Sequence, residues 1–137
     1  MDTEILSIET GHRRGIFDLT SDAGRFIAGK GDGLLNVFVP HATAGVAVIE
    51  TGAGSDDDLM DAIDAILPRD DRRYRHHHGS QGHGADHVMP GIIAPSVVVP
   101  VFDGRLALGT WQSIVLVDPN QDNPIRKVRL SFLGSRE

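Results

Sequence analysis

The dipeptide Asp103-Gly104, set between the apolar runs Val97 to Phe102 and Arg105 to Leu108, constrains the fold more than any other stretch. A two-residue hairpin loop needs positive φ at both central residues, which Asp and Gly tolerate, so the flanking runs are predicted to pair as antiparallel strands. The same pattern of short apolar runs broken by turn residues recurs along the chain. Residues 3–10 carry Ile5, Leu6 and Ile8 among Thr and Glu and read as a strand, and a second short strand falls near Gly15 to Leu19. Leu34 to Val39 is a near-continuous apolar run, as expected of a buried strand, and Val46 to Glu50 follows as another. Trp111 to Val117 and Lys127 to Leu133 complete the set, joined by a loop from Asp118 to Pro124 rich in Pro, Asn and Asp.

Two helices are expected among these strands. Thr20, Ser21 or Asp22 caps a short one reaching about Ala28, before the glycine-rich loop Gly29 to Gly33. The stronger helix covers about 56–67. Ser55 is placed to cap it, Asp56, Asp57 and Asp58 favour the positive end of its dipole, and Pro68 ends it. Leu59, Ile63 and Ile66 supply its apolar stripe. Runs of strands adjacent in sequence favour antiparallel pairing, so the expected class is α+β, with a mostly antiparallel β-sandwich-like core and two helices. No glycine-rich dinucleotide fingerprint follows any strand, which argues against a Rossmann fold.

The 137 residues fit one domain, 1–137. The net charge is −6, from 13 basic and 19 acidic residues, which disfavours a nucleic-acid partner, although Arg69 to Arg75 and Arg126 to Arg129 form local basic stretches. No apolar run approaches the roughly 20 residues of a membrane helix. The acidic start Met1-Asp2-Thr3-Glu4 has no long apolar run behind it, so no signal peptide is expected. With no cysteine, disulfides and thiolate metal sites are excluded. A cytoplasmic protein is the expectation.

Residues 69–91 depart from the rest, being rich in Arg, His, Gly and Asp and nearly free of aliphatics. So long an irregular stretch is uncommon in a compact domain and often functional. Five of the seven histidines fall here: His76, His77, His78, His83 and His87. His83 and His87 have the spacing of a helical pair, but Gly82, Gly84 and Pro90 argue for a loop. Several imidazoles with a carboxylate suit a Zn-like divalent ion better than Mg. The competing explanation is a solvated polar loop whose histidines serve scattered roles. His41 stands apart in Pro40-His41-Ala42-Thr43-Ala44-Gly45, between two strands, where a polar residue is either functional or a satisfied structural group. Glu50 lines up with Val46 and Val48 in an extended chain and is a candidate buried carboxylate. Arg75 and Arg105 could clamp a phosphate or carboxylate. Trp111 is either a core aromatic or a stacking face in a pocket.

Several of these segments together resemble the YjbQ family, also known as the secondary thiamine-phosphate synthase family. They are Phe38 to Val46 with its His41-Ala42-Thr43-Ala44-Gly45 core, Glu50, Tyr74-Arg75-His76, His87, Pro95-Ser96, and Gly104 to Gln112. The similarity runs from about residue 4 to residue 134. It implies an α+β fold assembled as a homotrimer, with a polar cleft where His41, Glu50, His76 and His87 converge. Ala42 and Ile49 depart from the family pattern, which carries Thr and Asn there, and an Asn is usual near His83. The activity implied is of thiamine-phosphate synthase type, joining a pyrimidine diphosphate to a thiazole phosphate with loss of pyrophosphate. On that reading His41, His76 and His87 are metal ligands or proton-transfer groups, and Glu50 is a base or an orienting carboxylate. Arg75, Arg105, Thr110 and Trp111 then bind a small phosphorylated substrate. Two other classes fit the same residues: a metal-assisted phosphoester hydrolase, and a non-catalytic trimer that binds a small ligand or metal. A Glu50 facing the surface would favour the last.

Overall fold

A computed structural model describes residues 1–76 and 78–135. Eight strands are present among them: β1 (Asp2–Glu9), β2 (Gly15–Asp18), β3 (Gly33–Phe38), β4 (Gly45–Ile49), β5 (Ser96–Phe102), β6 (Arg105–Leu106), β7 (Ser113–Asp118) and β8 (Ile125–Gly134). They form two sheets, in the orders β1-β8-β3-β5-β6 and β2-β7-β4. Every pairing is antiparallel. The three helices are α1 (Thr20–Ile27), α2 (Ser55–Ile66) and α3 (His83–Val88), with 3₁₀ turns at Asp71–Arg73 and Met89–Gly91.

The hairpin forms as its sequence requires. Phe102 pairs with Arg105, and the turn residues Asp103 and Gly104 have φ of 51° and 70°.

Alternation along the strands divides the interior into two layers. Leu35, Val37, Val99, Val101, Val128, Leu130 and Phe132 point inward from the larger sheet. They meet Val46, Ile114 and Leu116 of the smaller sheet and Leu19, Ala23 and Ile27 from the α1 region. Strand β7 is buried on both faces, hence its unbroken Ile114-Val115-Leu116-Val117 run. Val115 and Val117 face the opposite way from Ile114 and Leu116 and pack with Ile63 of α2 and Met89. Each such fully buried aliphatic contributes about 1.5–3 kcal/mol relative to exposure. The second layer therefore anchors the segment after α2, where most of the histidines lie, to the back of β7.

Helix α2 begins one residue earlier than its composition suggests. Gly54, at φ 103°, occupies the cap position, and Ser55 is the first helical residue with no side-chain cap bond. Ile66, expected in the apolar stripe, is 63% exposed. Helix α3 occupies the stretch expected to be a loop. Its six residues follow Gly82, which takes a left-handed conformation, and it buries Gly84, Ala85 and Asp86. Tertiary packing overrides the low helix propensity of glycine there.

The outer face of the larger sheet is partly apolar. Ile5, Leu34, Phe38, Val98, Phe102 and Leu133 are all exposed in the single chain. Among the described residues no helix is long and apolar enough to cross a membrane.

Candidate metal centre

The chain from Pro68 to Gly91 is fastened by specific bonds. Tyr74 Oη donates to the Pro68 carbonyl (2.6 Å), and Asp71 Oδ1 accepts from the Gly82 amide (2.9 Å). Arg69 Nη1 and Nη2 grip the Asp86 carboxylate (2.6 and 3.3 Å), and Nη2 also donates to the Gln81 carbonyl (3.0 Å). Asp86 is buried, and Asn120 Nδ2 donates to it as well (2.9 Å). Burial pushes the Asp86 carboxyl up, against the lowering effect of these hydrogen bonds. Gly84 lets the chain at Tyr74 and His76 lie directly on α3, since a Cβ at 84 would collide with the His76 carbonyl oxygen and the Tyr74 side chain.

That approach brings three imidazoles together. His83 and His87 lie one turn apart on the same face of α3. His76 packs against them, edge-on to His83 and tilted over His87, with ring centroids 4.6 and 4.3 Å apart. One ring nitrogen from each of His76, His83 and His87 lies within 4.8 Å of the others. The Nε2 atoms of His76 and His83 are 3.1 Å apart. Two imidazole nitrogens bound tetrahedrally to zinc at about 2.05 Å would sit roughly 3.3 Å apart, so the pair needs little adjustment to share an ion. The nitrogen-only donor set suits Zn-like ions rather than Mg. His87 is held below the ordinary histidine value, first by burial and then by the neighbouring His83 and His76. It is therefore neutral, as a ligand must be, down to more acidic pH than a free histidine.

An open cleft of about 770 Å³ adjoins the centre, lined by Arg72, Arg73, Tyr74, Arg75, His76 and His87 with Gly84 and Val88. Arg72 is paired with Asp70 (3.0 Å), and Arg73 and Arg75 are exposed at its side. A histidine centre beside guanidinium groups can take an anion at the ion and hold its charge from the rim.

The predicted residues divide between this site and other places. His76, His87 and Arg75 are in it. His41 is not part of the ligand group. It lies in the turn after β3, where its Nε2 accepts the Lys127 amide (2.9 Å). Burial and the Arg126 guanidinium push His41 below its ordinary value, and Asp118 offsets part of this. Behind it Arg126, 1% exposed, donates from Nε and Nη2 to Asp118 (2.7 and 2.8 Å) and from Nη2 to Thr43 Oγ1 (2.8 Å). Glu50 follows the end of β4 and is exposed, so the alternation that suggested burial stops one residue short of it. Arg105, Thr110 and Trp111 are exposed on and after β6, and none of them lines the histidine cleft. Trp111, at 74% exposure, is not a core aromatic. His83 joins the histidine cluster, a role the sequence leaves open. Its i, i+4 spacing to His87 was the usable signal, set aside because of the neighbouring glycines. His78 lies beside the group, with its ring centroid 4.4 Å from that of His76. His77 falls outside the described residues.

Two antiparallel sheets packed through a common core, with a three-histidine cluster on the layer behind the smaller one, define a small α+β protein with a candidate metal centre. The chain belongs to the YjbQ family: its sequence matches the family profile described as "UPF0047 protein YjbQ-like" over residues 4–135. It is 65% identical to the UPF0047 protein Rv2556c of Mycobacterium tuberculosis over 133 residues, 97% of this chain and 98% of that one. It is 33% identical to the UPF0047 protein YugU of Bacillus subtilis, over 80% of this chain and 83% of that one. Among solved structures, it superposes on the hypothetical protein APE1520 of Aeropyrum pernix with a TM-score of 0.87 and 33% identity, covering 98% and 100% of the two chains. The fold is shared with a YbjQ-like protein of unknown function from Sulfolobus solfataricus, at a TM-score of 0.89 and 23% identity over 98% and 97% of the chains.

Proposed function

We propose that the chain is a metal-dependent enzyme acting on small phosphorylated molecules, with His76, His83 and His87 as ligands of one divalent ion. The observation that carries this reading is the convergence of three imidazole nitrogens within 4.8 Å at the edge of an arginine-lined cleft. Three protein ligands leave a coordination position open, the arrangement of catalytic rather than structural zinc sites. A divalent ion held there supplies Lewis-acid activation of water and of a phosphoryl oxygen. The protein's own groups do the rest. Arg73 and Arg75 orient the phosphate, Gly84 lets the substrate-side chain lie against α3, and the ring of His87, kept neutral by burial, retains its lone pair. This favours metal-assisted phosphoester hydrolysis.

The resemblance to the thiamine-phosphate synthase family supports a second use of the same centre, in which a pyrophosphate leaving group is stabilised and a thiazole phosphate accepts the pyrimidine. The exposed Glu50 favours a third, binding without turnover, because Glu50 does not line the histidine cleft and supplies no base there. The family resemblance also supports a homotrimer, and the exposed apolar residues of the larger sheet are the surface we assign to its contacts. Light scattering on the purified protein tests that assembly, and a monomer would refute it.

The deciding experiment loads the protein with zinc and offers a panel of phosphomonoesters and diphosphates, with and without thiazole phosphate. Phosphate release without acceptor, lost in His83→Ala, is the expected result. Product formed only with the acceptor would replace hydrolysis by synthase chemistry. Thermal stabilisation by ligand with no product would leave a binding protein.

A further inference from the structure

The turn between β7 and β8 has the composition of an ordinary loop, yet at its centre Asn120 is 1% exposed. Its amide N donates to Asp118 Oδ1 (3.1 Å), and its Oδ1 accepts from the Asp122 amide (2.9 Å). Its Nδ2 donates to two carboxylates: Asp86 Oδ2 on the buried side of α3 (2.9 Å) and Asp122 Oδ2 (3.3 Å). Ser80 Oγ donates to the same Asp122 oxygen (3.0 Å). The Asp122 carboxylate is thus held from two sides, and it points at His83. Its Oδ2 lies 3.5 Å from His83 Nδ1.

His83 Nδ1 is buried and makes no hydrogen bond. A polar atom taken from water without a partner is costly, and native interiors rarely leave one so. Approach by about half an ångström would bring this contact to the ordinary N–H···O length of about 2.9 Å. The other ring nitrogen, Nε2, is the one 3.1 Å from His76 Nε2. A proton fixed on Nδ1 leaves the Nε2 lone pair directed at the place where the three imidazoles converge. Metal-binding histidines are commonly oriented by a carboxylate on their second nitrogen in this way.

We propose that Asp122, anchored by Asn120 and Ser80, is a positioning residue that accepts the Nδ1 proton of His83 and so presents its Nε2 to the metal. The inference rests on the three-histidine centre proposed above and assigns the turn after β7 to it. It gives a function to the contacts that the Asp122 carboxylate makes with Ser80 and His83, which turn formation alone does not require. A purely structural turn needs no carboxylate facing a buried imidazole nitrogen.

The test uses the full chain as Asp122→Ala, with Ser80→Ala as the milder variant and His83→Ala as the control. Two quantities are read: zinc affinity by competition with a chelator, and the His83 tautomer from ring ¹⁵N shifts in the metal-free protein. Asp122→Ala should weaken zinc binding about 10–100-fold at unchanged stoichiometry. His83 should also lose its preference for the Nδ1-protonated form. Ser80→Ala should shift both in the same direction by less, and it serves alone if Asp122→Ala does not fold. Unchanged affinity and tautomer in these variants, with zinc lost in His83→Ala, would overturn the positioning role and leave the metal centre standing. Zinc binding that is absent, or indifferent to His83→Ala, would overturn both.

Discussion

Replacing Asp118 by Ala should be among the most destabilising single changes this chain can suffer. Asp118 is fully buried and Arg126 is 1% exposed, so the guanidinium has no water to turn to when its carboxylate is removed. The change deletes two charge-assisted bonds, Nε to Oδ2 at 2.7 Å and Nη2 to Oδ1 at 2.8 Å, together with the bond from the Asn120 amide to Oδ1 at 3.1 Å, and leaves the Thr43 hydroxyl as the guanidinium's remaining partner. Hydrogen bonds to charged groups contribute about 1.5–3 kcal/mol each. Removing one partner of a buried pair costs about 3–5 kcal/mol, which agrees with that sum. Against a domain stability of about 5–15 kcal/mol, this is about a fifth or more of the total. Arg126→Met should be costly for the mirror-image reason. The double variant Asp118→Leu, Arg126→Met should cost less than either single change, because no charge is then buried alone. Urea unfolding followed by far-ultraviolet circular dichroism measures all three. The Trp111 signal is a poor probe, since that side chain is already solvent-exposed in the folded chain. A loss below about 1 kcal/mol in Asp118→Ala, or a double variant that costs the sum of the singles, would show that the pair is not the buried unit described.

Other consequences can be checked with the same protein. Burial holds His41 and His87 below the ordinary value of 6.5, so the folded state binds fewer protons than the unfolded state as the pH falls. Their stabilising contribution is present above about pH 6.5 and is lost as the pH drops through the depressed folded values. The melting temperature of the metal-free protein should therefore fall between pH 7.5 and 5, and a flat profile would contradict the assigned burial. Elemental analysis should find zinc lost from His76→Ala, His83→Ala and His87→Ala but kept by His41→Ala, whose ring accepts the Lys127 amide instead. Loss from His41→Ala would place that residue back among the ligands. Gly84→Ala forces the segment at Tyr74 and His76 off α3, which should cost about 1–3 kcal/mol and weaken zinc binding at least tenfold. A variant with wild-type affinity would refute the close approach at Gly84.

The readable parts of the sequence were those where local chemistry and tertiary structure agree. Asp103-Gly104 specified its hairpin because few residue pairs accept φ of 51° and 70° in succession. The run Ile114 to Val117 read as a buried strand because β7 is covered on both faces. Misreadings arose where a pattern was carried past its physical limit. The alternation that placed Glu50 inward holds only to Ile49, where β4 ends. Gly82 and Gly84 argued against a helix at His83 on propensity, but Gly82 starts α3 and Gly84 makes room for Tyr74 and His76. The resemblance grouped His76 and His87 with His41 and Glu50, whereas the fold places them beside His83. Asn120 and Asp122 passed unnoticed because Asn, Asp and Pro are what any turn contains, and composition does not distinguish a turn that only reverses the chain from one that holds a carboxylate against an imidazole.

The three clustered imidazoles are all drawn from residues 76–87. An ion that joins them closes a short loop, and short loops lose little chain entropy on closure. Binding therefore acts as a local clasp that can open without parting the two sheets. Amide hydrogen exchange in the metal-free protein should be faster from about residue 78 to 88 than in β7 and β8. Added zinc should slow the first group alone, separating the opening of this segment from the unfolding of the molecule.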